Sequence, residues 1–121
     1  MNDLAETLQR IQRYADAEKF AHQAVEMNPK LYVAWETLGA IQLAQGKDLD
    51  EAEANVRKAI ELYGGDLRMQ ITLARVLLKK GEIEQARVLL REVEGKQSEL
   101  PDFDKQELQK IQREASSAKV R

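Results

Sequence analysis

A period of 34 to 35 residues runs through this chain and restricts its fold more than any other feature. Leu4 recurs as Leu38, Leu73 and Leu108. Ala5 aligns with Gly39 and Ala74, Ala17 with Ala52 and Ala86, and Ala24 with Ala59 and Val93. Pro29 falls where Gly64 stands one unit later. The turn Gly46-Lys-Asp-Leu-Asp-Glu-Ala52 answers Gly81-Glu-Ile-Glu-Gln-Ala86, and is one residue longer. A unit of this length cannot bury its apolar face alone. It must stack on its neighbours, so the period implies an array with one continuous core.

Each unit reads as two helices. Gly46 and Gly81 stop the first helix of their units, and Pro29 and Gly64-Gly65 break the chain between units. Asp48 with Glu51 resembles a capping box at the start of the next helix. The pattern predicts helices over 3–12, 15–28, 31–45, 48–62, 66–80, 83–94 and 103–117. No segment alternates with period two, so no strand is expected and the class is all-α. The units run 1–30, 31–65 and 66–99, with 100–121 as a capping helix and a frayed tail, all in one domain. The first unit begins mid-repeat, as expected either of a chain that starts there or, the reading preferred, of a fragment with further repeats upstream.

Small residues recur where two helices must cross closely: Gly39, Ala74 and Ala5 on first helices, Ala52, Ala86 and Ala17 on second helices. At 100° per residue, the helix over 31–45 has three faces. Trp35, Leu38, Gly39 and Gln42 point at its own partner, and Ala34, Ile41 and Gln45 at the preceding unit. Val33, Glu36, Thr37, Ala40, Leu43 and Ala44 are left. In the helix over 66–80 the corresponding face is Arg68, Ile71, Thr72, Arg75, Leu78 and Lys79. These faces are expected to line the concave side of the stack. The last helix keeps one narrow apolar stripe, Leu108, Ile111, Ala115 and Ala118, with charge elsewhere. That pattern suits a terminal cap covering Ile71 and Leu78.

Trp35-x-x-Leu38-Gly39, followed by Gly46, Ala52, Ala59 and a turn at Gly64, resembles the tetratricopeptide repeat, a helix–turn–helix unit of 34 residues. The third unit keeps Leu73, Ala74, Gly81 and Ala86 without the tryptophan. The first keeps Leu4, Ala5, Ala17, Ala24 and Pro29. The likeness spans roughly 1–95, and three motifs in register make it specific. Gln42 departs from it, standing where the family usually has an aromatic residue. The resemblance implies an α-solenoid, a right-handed superhelix of three such units plus a cap. It implies a non-catalytic protein-interaction module, an adaptor or scaffold, with no cofactor. Some members of the family bind chaperone C-termini through a two-carboxylate clamp of Lys, Asn and Arg. The matching places here hold Asn2, Glu6, Thr37, Arg68 and Thr72. Only Arg68 is a retained cation and Glu6 would repel a carboxylate, so such a clamp is not expected.

Composition narrows the function classes. Lys plus Arg is 19 and Asp plus Glu is 21, a net charge of −2, which speaks against a nucleic-acid partner held by bulk charge, RNA included. With no cysteine there is no disulfide scaffold, thiolate zinc site or thiol nucleophile. No apolar run is long enough for a membrane span, and the start MNDLAETLQR is no signal peptide, which favours a cytoplasmic location. Catalysis needs converging groups, and the sequence offers none. His22 has Glu18 and Glu26 four residues to either side, but a metal site needs more ligands, so it reads as a solvated surface histidine. Asp48, Asp50, Glu51 and Glu53 lack the glycine and spacing of a calcium loop and suit a helix N-terminus. Ser98, Ser116 and Ser117 have no histidine near in sequence, and Gly64-Gly65 lacks the Lys-Ser/Thr of a phosphate loop.

Charge is segregated. Residues 67–91 carry six basic side chains against two acidic, whereas 32–66 carry three basic against seven acidic. Arg68, Arg75 and Lys79 share one stripe facing the expected groove. The groove candidates are therefore Val33, Glu36, Thr37, Ala40, Leu43, Arg68, Ile71, Thr72, Arg75 and Lys79, with Arg75 central. A protein or peptide partner is expected, acidic if the cations face it. The alternative is a self-assembling repeat protein that forms homo-oligomers through Leu4, Leu8 and Ile11 at the N-terminal edge.

Overall fold

The computed structural model describes the backbone of residues 2–64, 67–96, 98, 100 and 102–117, and the side chains of these from Ile11 onward, Phe103 excepted. Among the described residues six α-helices follow one another: α1 (Asn2–Met27), α2 (Tyr32–Gln45), α3 (Leu49–Tyr63), α4 (Leu67–Lys80), α5 (Ile83–Glu94) and α6 (Asp102–Ser117). No strand occurs among the described residues. Consecutive helices pack on one another, α2 also touches α4, and α4 touches α6. The result is a tetratricopeptide-like α-solenoid. Its inner layer is α2, α4 and α6.

From α2 onward the helix bounds fall within a residue of the expected ones. Gly46 ends α2 in the left-handed region, φ 71°, and its N–H bonds to the Gln42 and Leu43 carbonyls. Gly81 repeats this at φ 86° after α4. The first unit differs. The two helices expected over 3–12 and 15–28 are one helix, Asn2–Met27, in the structure. The repeat register supplies the reason: Gln12 stands where Gly46 and Gly81 stand. A left-handed residue costs a side chain roughly 1–2 kcal/mol that glycine escapes, so the helix runs on.

The capping box at α3 does not form. Asp48 is left-handed, φ 52° and ψ 42°, and its side chain makes no cap hydrogen bond. A capping residue needs an extended backbone. The extra residue in this turn is absorbed by Asp48 instead, because aspartate tolerates the left-handed region better than most.

The core follows the small-residue rule. Ala52, Ala59, Ala74 and Ala86 are each 0 % exposed. A main cluster joins α4, α5 and α6 through Leu73, Leu77, Leu90, Val93, Leu108 and Ile111. A second joins α1 to α2 through Ala21, Val25, Ala34 and Leu38, with Trp35 against it. The Trp35 Nε1–H donates to the Pro29 carbonyl at 2.8 Å, tying helix to turn. Gln42 is fully buried, and its Oε1 accepts from Asn55 Nδ2 at 2.8 Å. Its Nε2 has no partner among the described residues. A hydrogen-bonded pair thus occupies the place of an apolar ring between α2 and α3.

Candidate functional site

A groove of about 720 Å³ opens on the inner layer. Helix α2 contributes Ala40, Leu43 and Ala44. Helix α4 contributes Thr72, Arg75, Leu78 and Lys79. Helix α6 contributes Glu107, Lys110, Ile111 and Glu114. The three helices hold equivalent places in successive units, so their side chains form rows across the groove. One row is Ala40, Arg75 and Lys110, and the next is Ala44, Lys79 and Glu114, each step being 35 residues.

Five of the ten groove candidates line this cavity: Ala40, Leu43, Thr72, Arg75 and Lys79. Leu43 lies at its floor, only 7 % exposed and packed with Ala52 and Val76. Val33, Glu36 and Thr37 lie nearer the start of α2, outside the cavity. Ile71 is buried in the main cluster beside Leu108 and Ile111, and Leu78 packs against that cluster. Arg68 Nε sits 3.3 Å from Asp104 Oδ2, which joins α4 to the first turn of α6. Of the clamp positions, Arg68 is thus engaged by Asp104, while the Asn2 and Glu6 side chains lie outside the described residues. The contribution of α6 was not drawn from the sequence. The signal was there, since Glu107, Lys110 and Glu114 follow Thr72, Arg75 and Lys79 at the repeat spacing.

The basic segment divides into paired and open charges. Lys80 Nζ lies 2.7 Å from Asp50 Oδ1, 2.7 Å from Glu53 Oε1 and 3.5 Å from Glu82 Oε1. This joins α3 to α4 and gives Asp50 and Glu53, two of the four residues of the acidic cluster, a structural partner. Arg87 donates to Glu84 at 2.9 Å and to the Ala115 carbonyl at 2.9 Å, holding the last turn of α6. Arg75 and Lys79 are exposed and make no ion pair with a described residue. The groove therefore keeps cations that the fold does not consume.

The Lys80 hydrogen bond holds the Glu53 carboxyl below its usual range, Arg57 adding to this and partial burial opposing it. Hydrogen bonds donated to Asp50 and Glu53 hold the Lys80 ammonium above its usual range. A depressed carboxylate contributes stability above its unfolded pKa, which is lost as pH falls through the folded value. A raised lysine contributes below its unfolded pKa and loses this in strong alkali. Both contributions are full at neutral pH. Glu53→Gln is expected to lower stability by about 1 kcal/mol at pH 7. Chemical denaturation at a series of pH values should show the gap to wild type closing below the ordinary carboxylate pKa of 4.5.

His22 Nε2 lies 3.8 Å from Glu51 Oε1 on α3, and Glu18 accepts from Gln45 Nε2 at 3.4 Å. Among the described residues no three His, Asp or Glu side chains converge as metal ligands. No described helix is long and apolar enough to cross a membrane.

Stacked helix pairs with an inward groove define a helical-repeat scaffold. Family models described as tetratricopeptide repeat match residues 43–104 and residues 1–32. The chain belongs to the tetratricopeptide repeat family, a non-catalytic module that generally mediates protein–protein interaction. It is similar to the heat shock protein STI1 of Saccharomyces cerevisiae, 42% identical over 52 residues. The match covers 43% of this chain and 9% of that protein, so the chain spans a small part of its relative.

Proposed function

We propose that this chain binds a peptide or partner helix in the concave groove between α2, α4 and α6. The observation that carries the reading is Arg75. It lies mid-groove, is exposed, and makes no ion pair with a described residue. A buried or paired arginine would have a structural task, whereas Arg75 is held ready on a rigid helix. The partner is a protein, acidic where it meets Arg75 and Lys79. Arg75→Glu is expected to weaken partner binding at least tenfold while changing stability by less than about 0.5 kcal/mol. Calorimetric titration and thermal melting check the two halves. Loss of folding would assign Arg75 to the scaffold.

The N-terminal edge supports a second reading, self-assembly. Phe20 is 68 % exposed and Ile11 58 %. Asn55, the register equivalent of Phe20, is 5 % exposed. The face of α1 that a first helix covers in later units is thus open. Leu4 and Leu8, the other two edge candidates, have side chains outside the described residues. Sedimentation over a range of concentrations tests this: a dimer or larger assembly supports it, and a strict monomer ends it.

A further inference from the structure

Two contacts fix how α2 and α3 cross. Asn55 Nδ2 donates to Gln42 at 2.8 Å, and Gly39 lies against Val56 and Ala52. One unit earlier the same positions are Leu8 with Phe20, and Ala5 with Ala21 and Ala17. One unit later the first pair becomes Leu77 and Leu89, which both pack in the main cluster. The polar pair of the second unit is thus apolar in the first and third, and the sequence of α1 carries both halves of a helix crossing. The structure keeps those halves in line. Leu8 and Phe20 stand on one continuous helix, about 18 Å apart along its axis. Helix α1 packs on α2 through Ala21 and Val25. Its other side is open: Phe20 is exposed where Asn55 is buried, and Ala17 is half-buried where Ala52 and Ala86 are buried.

We propose that two copies of this chain exchange these halves. The two α1 helices lie antiparallel, and residues 2–11 of each cover the open side of the other over 15–27. Leu8 of one copy then meets the partner's Phe20, and Ala5 meets the partner's Ala17 and Ala21. Both pairings place the two-fold axis near the same point. Leu8 with Phe20 puts it at residue 14, and Ala5 with Ala21 at residue 13. That is the middle of Asn2–Met27, so the helices overlap along nearly their whole length. A helix of 26 residues is about 39 Å long and 10–12 Å across. Covering a third of its girth on both copies buries roughly 900–1,000 Å² in total. Each exchanged half also lies beside the partner's α2, as α2 lies beside α4, which carries the total past the roughly 1,000 Å² of a specific interface. The exchange stops at two copies, because each open side is filled, whereas an end-to-end stack goes on growing. Gln12 is the hinge, since a side chain there disfavours the left-handed turn that Gly81 makes. The inference rests on the self-assembly reading above and specifies its geometry.

The chain has no cysteine, so disulfide trapping tests this. Leu8→Cys and Phe20→Cys chains, shown to be folded by their melting curves, are mixed and oxidised gently. The mixture should give at least tenfold more cross-linked dimer than either chain alone. Gln12→Gly in both chains should cut that yield at least fivefold, because the halves can then close within one chain. Sedimentation of the wild type should show monomer and dimer with no larger species, and Phe20→Glu should weaken the dimer at least tenfold. Any assembly without the Leu8–Phe20 cross-link overturns the exchange and leaves the self-assembly reading standing. An internal disulfide in the monomeric Leu8→Cys, Phe20→Cys double variant also overturns it, by showing closure in one chain. A strict monomer at every concentration ends both.

Discussion

Gly39→Leu is expected to cost about 3 kcal/mol, the upper end of what overpacking a close helix crossing does. A Cβ on Gly39 would lie 2.6 Å from Val56 Cγ2 and 3.2 Å from the Ala52 carbonyl oxygen. Neither neighbour can yield cheaply. Val56 is β-branched and 0 % exposed, and the other atom is backbone. The α2–α3 pair must separate, which also strains the Gln42–Asn55 hydrogen bond, whose Gln42 lies three residues further along α2. Ala74 occupies the same place in α4 and carries its Cβ at 0 % exposure, so the α4–α5 crossing has room for one methyl. Gly39→Ala should therefore cost less, about 1 kcal/mol, because alanine recovers roughly 1 kcal/mol of helix propensity. Ala52→Leu, from the opposite side of the crossing, should cost about 1–3 kcal/mol. Thermal melting should place the leucine variant of Gly39 about 10–15 °C below wild type. A melting temperature within two or three degrees of wild type would show that the crossing is looser than described.

Leu108→Ala is expected to cost about 3 kcal/mol, within the 2–5 kcal/mol of a buried leucine truncated to alanine. Leu108 is 0 % exposed and belongs to the cluster that joins α4, α5 and α6. In a stack of repeats each unit contacts only its neighbours, so the damage should stay local. Amide hydrogen exchange should quicken along α6 and change little along α1 and α2. If the groove binds as proposed, the loss should also reach function, because α6 supplies Lys110 and one wall of the groove. Peptide affinity should fall in this variant although no groove side chain has been replaced. Uniform acceleration across all six helices would contradict a modular stack.

The repeat period made most of this architecture legible. Positions that recur, such as Leu38, Leu73 and Leu108, are buried in equivalent places because the stack repeats the same crossing. Two local features were hidden for a shared reason. The continuous α1 and the left-handed Asp48 both depend on what one residue does in a turn, at Gln12 and after Lys47. Periodicity averages over such positions. Comparing Gln12 with Gly46 and Gly81 would have exposed the first.

The site was less legible than the fold. Helical phase identified Arg75 and Lys79 as inward, since phase fixes direction. The apolar stripe of the last helix pointed to a cap over Ile71 and Leu78, where α6 lies, but phase could not show that Asp104 takes up Arg68, because that depends on how a neighbouring helix lies. The charge excess over 67–91 was real but mixed. Lys80 and Arg87 serve the scaffold, and Arg75 and Lys79 do not.

The central claim is that α2, α4 and α6 act together as one binding surface. Backbone amide chemical-shift mapping, with a peptide selected on this chain, tests it most directly. The account predicts saturable shifts at Ala40, Ala44, Thr72, Arg75 and Lys110, on all three inner helices at one apparent affinity. Shifts confined to the cleft of Leu90, Arg91 and Gln112 between α5 and α6, with the inner helices silent, would contradict it.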